Sequence, residues 1–222
     1  VLPEMFSTGF TMNASAHAEP MDGPTIQWMR RMAIALQAVI TGSLIIESDG
    51  KYYNRLIWMQ PDGEYRHYDK RHLFTLAGEE KTYMPGNHRL VFECKGFRVF
   101  PLVCYDLRFP VWSRRTADFN YDILLYVANW PERRSAAWKR LLPARAIENQ
   151  CYVVAVNRVG ADGHGIMHAG DSVALDFKGD ALTDIPSFKS YQSTITLELE
   201  PLHEFRNQFP FGNDADGFEF KL

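Results

Sequence analysis

Three side chains that could act on a carbonyl group stand at the ends of strand-like stretches: Glu4 in VLPEMF, Lys70 in YDKRHLF and Cys104 in FPLVCYDLRFP. The apolar run before Cys104 gives way at once to the polar stretch YDLR. A cysteine in such a run is usually a small buried hydrophobe. A cysteine at a strand exit beside charged residues can instead be a nucleophile. The local sequence leaves both readings open. A nucleophile would need a base, an oxyanion stabiliser and a pocket. The usual base is histidine, but none of the seven histidines lies in a familiar cysteine-protease context. His164 and His168, in HGIMH, have a spacing that could hold a metal on a helix, but the preceding ADGHG breaks a helix and no carboxylate motif supports them. They read as an exposed loop, and no metal site or organic cofactor is expected. The trio is the better candidate, because ligands gather outside the carboxyl ends of strands in open α/β sheets. Its rival is one surface glutamate, one surface lysine and one core cysteine.

The elements that would position these residues alternate between strand and helix. Residues 22–37 read as a helix that Thr25 can cap, with Ile26, Met29, Ala33 and Leu36 near helical spacing. Residues 38–47 and 52–60 read as strands joined by the turn SDGK, and PDGE turns the chain again into YRHYDKRHLF. A Gly-rich loop follows, then two short strands about Gly96 within 89–104. Residues 111–120 read as helix, 121–130 as a strong strand, and 135–150 as a helix that Pro143 kinks or divides. CYVVAVNRVG is a further strand, and GDSVALDFKGDAL and YQSTITLELE have β-ribbon character. The alternation predicts a layered α/β domain. No repeat, linker or low-complexity tract divides the 222 residues.

Composition narrows the function. A hydrophobic content of 46% can fill a substantial core, and no 18-residue apolar run points to a membrane span. A net charge of −3 is unlike the basic stripe of a nucleic-acid protein. Three cysteines without a CxxC or regular framework suit a reducing compartment, so a cytoplasmic location is expected. Cys94 and Cys151 read as buried thiols. Asp106 and Arg108 read as an ion pair or backbone anchor, and Arg145 with Glu148 as an i,i+3 pair. Arg133 and Arg134 read as exposed loop arginines that could also meet a substrate carboxylate.

The motifs together resemble the nitrilase superfamily of carbon–nitrogen hydrolases. LPEMFSTGF is similar to that family's glutamate motif, YDKRHLF to its lysine motif and VCYDLRFP to its cysteine motif, in the family's order. GEEKTYMPG resembles the segment of the second glutamate, matched by Glu79, and ARAIENQCYVVAVNRVG the segment after the cysteine strand. FSTGF, NWP and FPFGNDADGF look most like the omega-amidase branch, which acts on terminal amides of 2-oxo acids. The resemblance implies a four-layer αββα sandwich, a small-molecule amide substrate and a homodimer or higher homo-oligomer. It also implies a strand and helix before Glu4, so the domain is expected to extend upstream of residue 1. A carbamoylase or nitrilase of the same superfamily, or a non-catalytic member, is the alternative.

Under that resemblance Glu4 is the base, Cys104 the nucleophile and Lys70 the charge beside them. The backbone N–H of Tyr105 completes an oxyanion hole and Glu79 orients Lys70 or Glu4. Phe74, Met84 and Trp130 are the candidates for lining the pocket.

Overall fold

The computed structural model describes residues 1–220. In chain order the helices are α1 (Ala14–His17), α2 (Pro24–Leu36), α3 (Pro110–Ser113), α4 (Ser135–Asn149) and α5 (Leu199–Gln208). The strands are β1 (Ile40–Ser48), β2 (Lys51–Met59), β3 (Tyr65–Asp69), β4 (Phe92–Cys94), β5 (Phe97–Val103), β6 (Ile123–Ala128), β7 (Tyr152–Asn157), β8 (Val159–Ala161), β9 (Met167–Ala169) and β10 (Val173–Leu175).

One sheet is the antiparallel meander β1-β2-β3. The second has the order β10-β7-β6-β5-β4, with β5, β6 and β7 parallel at its centre. β6 is buried along its whole length, as a central parallel strand covered on both faces must be. Alternation along β2 sorts its side chains between two neighbours. Ile57 and Met59 join Leu44 and Ile46 of β1 against Ile26, Met29 and Ala33 of α2. Trp58 and, from β3, Tyr68 turn the other way. They meet Phe92 and Phe100 of the second sheet, at ring separations of 5.6 and 6.4 Å. On the second sheet Trp138, Leu142 and Ala146 of α4 belong to the same buried cluster as Phe100, Leu124 and Tyr126. The layers are therefore helix, sheet, sheet, helix: the αββα sandwich.

Four local expectations need correction. α2 has Gly23 rather than Thr25 at its cap position; the Glu19 carboxylate, six residues upstream of Thr25, accepts the Thr25 N–H at 2.7 Å. The helix expected over 111–120 stops at Ser113, where the backbone of Arg114 turns extended. Pro143 does not divide α4, because the helix is continuous from Ser135 through Asn149. YQSTITLELE forms no ribbon: 191–198 has no regular structure and Leu199 opens α5, whose Leu202 is buried in a cluster with Tyr152 and Phe177. No helix among the described residues is long and apolar enough to cross a membrane.

Candidate active site

Glu4, Lys70 and Cys104 line one pocket, with Glu79 buried against Lys70, each delivered by a different element. The segment carrying Glu4 lies against β1, through Leu2 N–H to Thr41 O (2.7 Å) and Phe6 N–H to Ser43 O (3.2 Å). Lys70 is the residue after β3, and its N–H donates to Asn54 O at 3.0 Å. Cys104 is the residue after β5 and opens a short 3-10 turn through Arg108. Its φ of +45° lies in the left-handed region that non-glycine residues rarely occupy. Such strain is found where surrounding structure holds a residue in a fixed direction.

What holds the nucleophile turn is Asp106, which is fully buried. One carboxylate oxygen accepts Tyr68 O–H at 2.8 Å and Val103 N–H at 3.0 Å; the other accepts His72 N–H at 2.9 Å and faces His72 Nδ1 at 2.8 Å. The cysteine turn is thereby tied to β3 and to the loop that carries Lys70. Asp106 is the anchor expected from sequence, but Arg108 is not its partner; the Arg108 guanidinium lies 4.8 Å above the Trp130 ring. The other expected pair, Arg145 with Glu148, forms at 2.9 Å.

At the centre, Lys70 Nζ lies 2.9 Å from Glu4 Oε1 and 2.9 Å from each Glu79 oxygen. Glu79 Oε2 also accepts Phe74 N–H at 2.6 Å. All three charged side chains are almost wholly buried. Burial alone would drive the Lys70 ammonium down, but the two carboxylates more than offset it and hold the group above its ordinary value. Burial, reinforced by the nearby Glu4 carboxylate, raises Glu79 despite the Lys70 charge. Burial likewise raises Cys104 well above a free thiol, and the nearby Glu4 carboxylate adds to this while the Lys70 charge opposes it. The resting thiol is therefore protonated at neutral pH, and the carboxylate that can take its proton lines the same pocket.

Two asparagines that sequence reasoning missed complete the site. Asn54 Nδ2 donates to Glu4 at 2.7 Å and to Glu79 at 3.3 Å. Asn129 gives its backbone N–H to Glu4 Oε2 at 2.8 Å and its side-chain amide to the Glu4 carbonyl at 2.5 Å. The signal was present: each is a polar residue in or directly after an apolar strand, and a buried amide must find partners.

The pocket above has a volume of about 260 Å³, and Cys104, Phe74, Tyr105, Trp130 and Arg134 are among the residues lining it. Phe74 and Trp130 thus stand where expected. Met84 does not. Strand-like pairing of Tyr52 with Tyr83 turns Tyr83 inward, where its O–H donates to Thr11 O at 2.6 Å, and alternation puts Met84 outside, 40% exposed. Arg133 and Arg134 also line the pocket, as do His164 and His168. His168 departs from the exposed-loop reading: it is buried on β9, with Nδ1 3.0 Å from Ile166 O. Among the described residues no cluster of His, Cys, Asp or Glu is arranged to hold a metal ion. Cys151 is buried as expected and pushed up to about 12 by burial, whereas Cys94 is only half-buried.

The placement of Glu4 depends on a bare backbone at Gly42. A Cβ there would sit 2.9 Å from Leu2 Cβ and from Phe6 Cδ1, the residues on either side of Glu4. Gly42→Ala is expected to push this segment off β1 and lower kcat/KM at least about tenfold, since misplacement by ~1 Å can cost ~100-fold. Wild-type kinetics for that variant would show that the segment yields without moving the carboxylate.

Comparison with known proteins gives consistent matches. The family model for carbon-nitrogen hydrolase matches residues 1–207. Omega-amidase YafV of Yersinia enterocolitica is 47% identical over 218 residues, 98% of this chain and 84% of that protein. The 2-oxoglutaramate amidase of Bacillus subtilis is 34% identical over 187 residues, 83% of this chain and 72% of that protein. A solved CN-hydrolase superfamily protein of Xanthomonas campestris, with an arsenic adduct in its active site, superposes with a TM-score of 0.96 at 47% identity, covering 99% of this chain and 84% of that one.

Proposed function

The chain belongs to the carbon–nitrogen hydrolase family, and from that premise we propose that it is an omega-amidase, releasing ammonia from the terminal amide of a short 2-oxo acid such as 2-oxoglutaramate or 2-oxosuccinamate. The observation that carries this reading is the gathering of Cys104, Glu4 and the Lys70 ammonium, which is 2.9 Å from Glu4, in one pocket with arginines in its wall. The similarity to an omega-amidase and to a 2-oxoglutaramate amidase supports the substrate class.

In the proposed reaction Glu4 takes the Sγ proton as sulfur attacks the amide carbon. A thiol held above its ordinary pKa forms little thiolate in advance, so proton removal belongs to the attack itself. The Lys70 charge and the Tyr105 N–H stabilise the oxyanion; one such donor is typically worth roughly 3–4 kcal/mol. Glu4 then returns its proton to the departing nitrogen, and ammonia leaves a thioester on Cys104. Water, deprotonated by Glu4, hydrolyses that thioester and frees the acid. Glu79 and Asn54 act through others: they keep Lys70 and Glu4 aimed as charge moves.

The test is ammonia release across small amides. 2-Oxoglutaramate or 2-oxosuccinamate is expected to have the highest kcat/KM, with glutamine, asparagine, simple nitriles and carbamoyl amino acids turned over poorly. If any of the latter outcompetes the 2-oxo amides, the protein sits in another branch, and carbon dioxide release would identify a carbamoylase.

A further inference from the structure

Most arginines that face an acid in this protein are paired with it: Arg55 with Asp69 at 2.6 Å, Arg98 and Arg206 with Asp122 at 3.1 and 2.9 Å, and Arg114 with Glu148 at 3.0 Å. The pocket arginines break this pattern. No ion pair among the described residues uses Arg108, Arg133 or Arg134, although all three line one cavity. Of the two acids that line the same pocket, Glu4 is paired with Lys70 at 2.9 Å, and Asp162 is turned to its own loop, where it accepts the N–H groups of His164 and Ile166 at 2.9 Å each.

Two of the three guanidiniums are mounted. Arg108 lies over the Trp130 ring at 4.8 Å and Arg134 over the Phe74 ring at 5.0 Å. The mounts are themselves fixed. Trp130 N–H donates to Asn157 Oδ1 at 2.7 Å, its indole N–H donates to Arg134 O at 2.9 Å, and Arg134 N–H donates to Pro131 O at 2.9 Å. Phe74 gives its N–H to Glu79 and sets its ring edge-on against Tyr105 at 5.0 Å. α4 begins one residue after Arg134, so the positive end of a 15-residue helix adds to the same rim. Charges of one sign gathered in a cleft without partners attract the opposite sign from solution.

We propose that Arg108 and Arg134 form the subsite that reads the substrate's distal carboxylate, with Trp130 and Phe74 as the platforms that hold their guanidinium planes toward it. The inference rests on the amidase reading for the identity of the ligand and deepens it by assigning the group that selects an anionic amide over a neutral one. Stacking leaves the N–H edge of a guanidinium free for a carboxylate, which lysine cannot imitate. Burial and the neighbouring charges of Arg133 and Arg108 also disfavour the charged form of Arg134, a cost that a bound carboxylate removes. The arrangement links recognition to chemistry as well: Phe74 carries Arg134 on its ring and holds the Lys70 partner Glu79 with its backbone.

The test is binding to the full-length Cys104→Ala protein, measured by calorimetry with 2-oxoglutarate and with pentanamide as probes. 2-Oxoglutarate is expected to bind more tightly, and more weakly as salt rises. Arg134→Gln and Arg108→Gln, each added to Cys104→Ala, are expected to weaken 2-oxoglutarate roughly 10- to 100-fold, the scale for a hydrogen bond to a charged group. Arg134→Lys is expected to recover only part of the loss, and Phe74→Leu to weaken binding with Arg134 intact. Arg140→Gln, on the exposed side of α4, serves as the control that keeps wild-type affinity. Unchanged 2-oxoglutarate affinity in both glutamine variants, or equal binding of pentanamide, overturns the subsite. Turnover reads the two ideas apart. In a Cys104 enzyme that hydrolyses no amide, the amidase reading fails while the binding result still stands or falls alone. In one that hydrolyses 2-oxoglutaramate with an unmoved preference over pentanamide in both glutamine variants, only the subsite fails.

Discussion

Cys104→Ala is expected to abolish amide hydrolysis, by roughly 10,000-fold or more, the scale on which covalent enzymes lose turnover without their nucleophile. The fold should survive. The turn is held by Asp106 through Tyr68, His72 and Val103, and none of those bonds uses the sulfur. Relief of the left-handed backbone is not obtained by this change, because alanine also carries a Cβ. Cys94→Ala and Cys151→Ala are expected to retain most activity. Cys94 sits on β4, paired with Phe97 at the edge of the second sheet, and does not line the pocket. Cys151 is closed off at the start of β7, its thiol pushed up to about 12 by burial, so it offers neither access nor thiolate. Mass spectrometry on a slow substrate should find the acyl group on Cys104. An adduct on either of the other cysteines, or hydrolysis surviving in Cys104→Ala, would remove it from the role.

The same comparison shows what the sequence could and could not disclose. Lys70 and Cys104 were legible because each directly follows a strand, where a sheet places its binding groups, and Glu4 because its segment lies against β1 like a strand end. The layers were legible because β2 alternates between two buried neighbours and α2 carries a clean apolar stripe. The partners of Asn54 and Asn129 were not, since nothing local tells which carboxylate, 50 or 125 residues away, a strand asparagine will meet. Met84 was misplaced by one residue's worth of alternation: Tyr83 is the inward side chain. Residues 191–198 carry β-branched and apolar types suited to a strand, yet find no partner strand, so tertiary context overrode propensity there. Arg108 shows the same limit. Sequence adjacency suggested Asp106 as its partner, but Asp106 points inward to three donors and the His72 ring while Arg108 reaches out over Trp130.

Lys70 must be a lysine. Its nitrogen makes three contacts of 2.9 Å to two buried carboxylates, with the Phe10 ring 5.3 Å away closing the other side. A planar guanidinium cannot fit a site built for a compact ammonium without displacing those oxygens. Lys70→Arg is therefore expected to lower kcat at least about 100-fold, as a misdirected oxyanion donor does. Near-wild-type turnover in a folded Lys70→Arg protein would show the charge to be structural alone. Lys70→Met removes the charge and leaves Glu4 and Glu79 facing each other in a dry site. Deleting one side of a buried pair typically costs about 3–5 kcal/mol, or roughly 6–20 °C in melting temperature for a domain of this size. The sign of its pH dependence follows from Glu79, which burial already raises and which Lys70 holds back. Without Lys70 the folded-state pKa rises further above the unfolded value. Between those two values the folded protein binds the extra proton, so its stability falls as pH rises. The melting-temperature gap between wild type and Lys70→Met should then narrow as pH is lowered from about 8 to about 5. A gap that stays constant or widens over that range would mean that the two carboxylates do not share the lysine's charge.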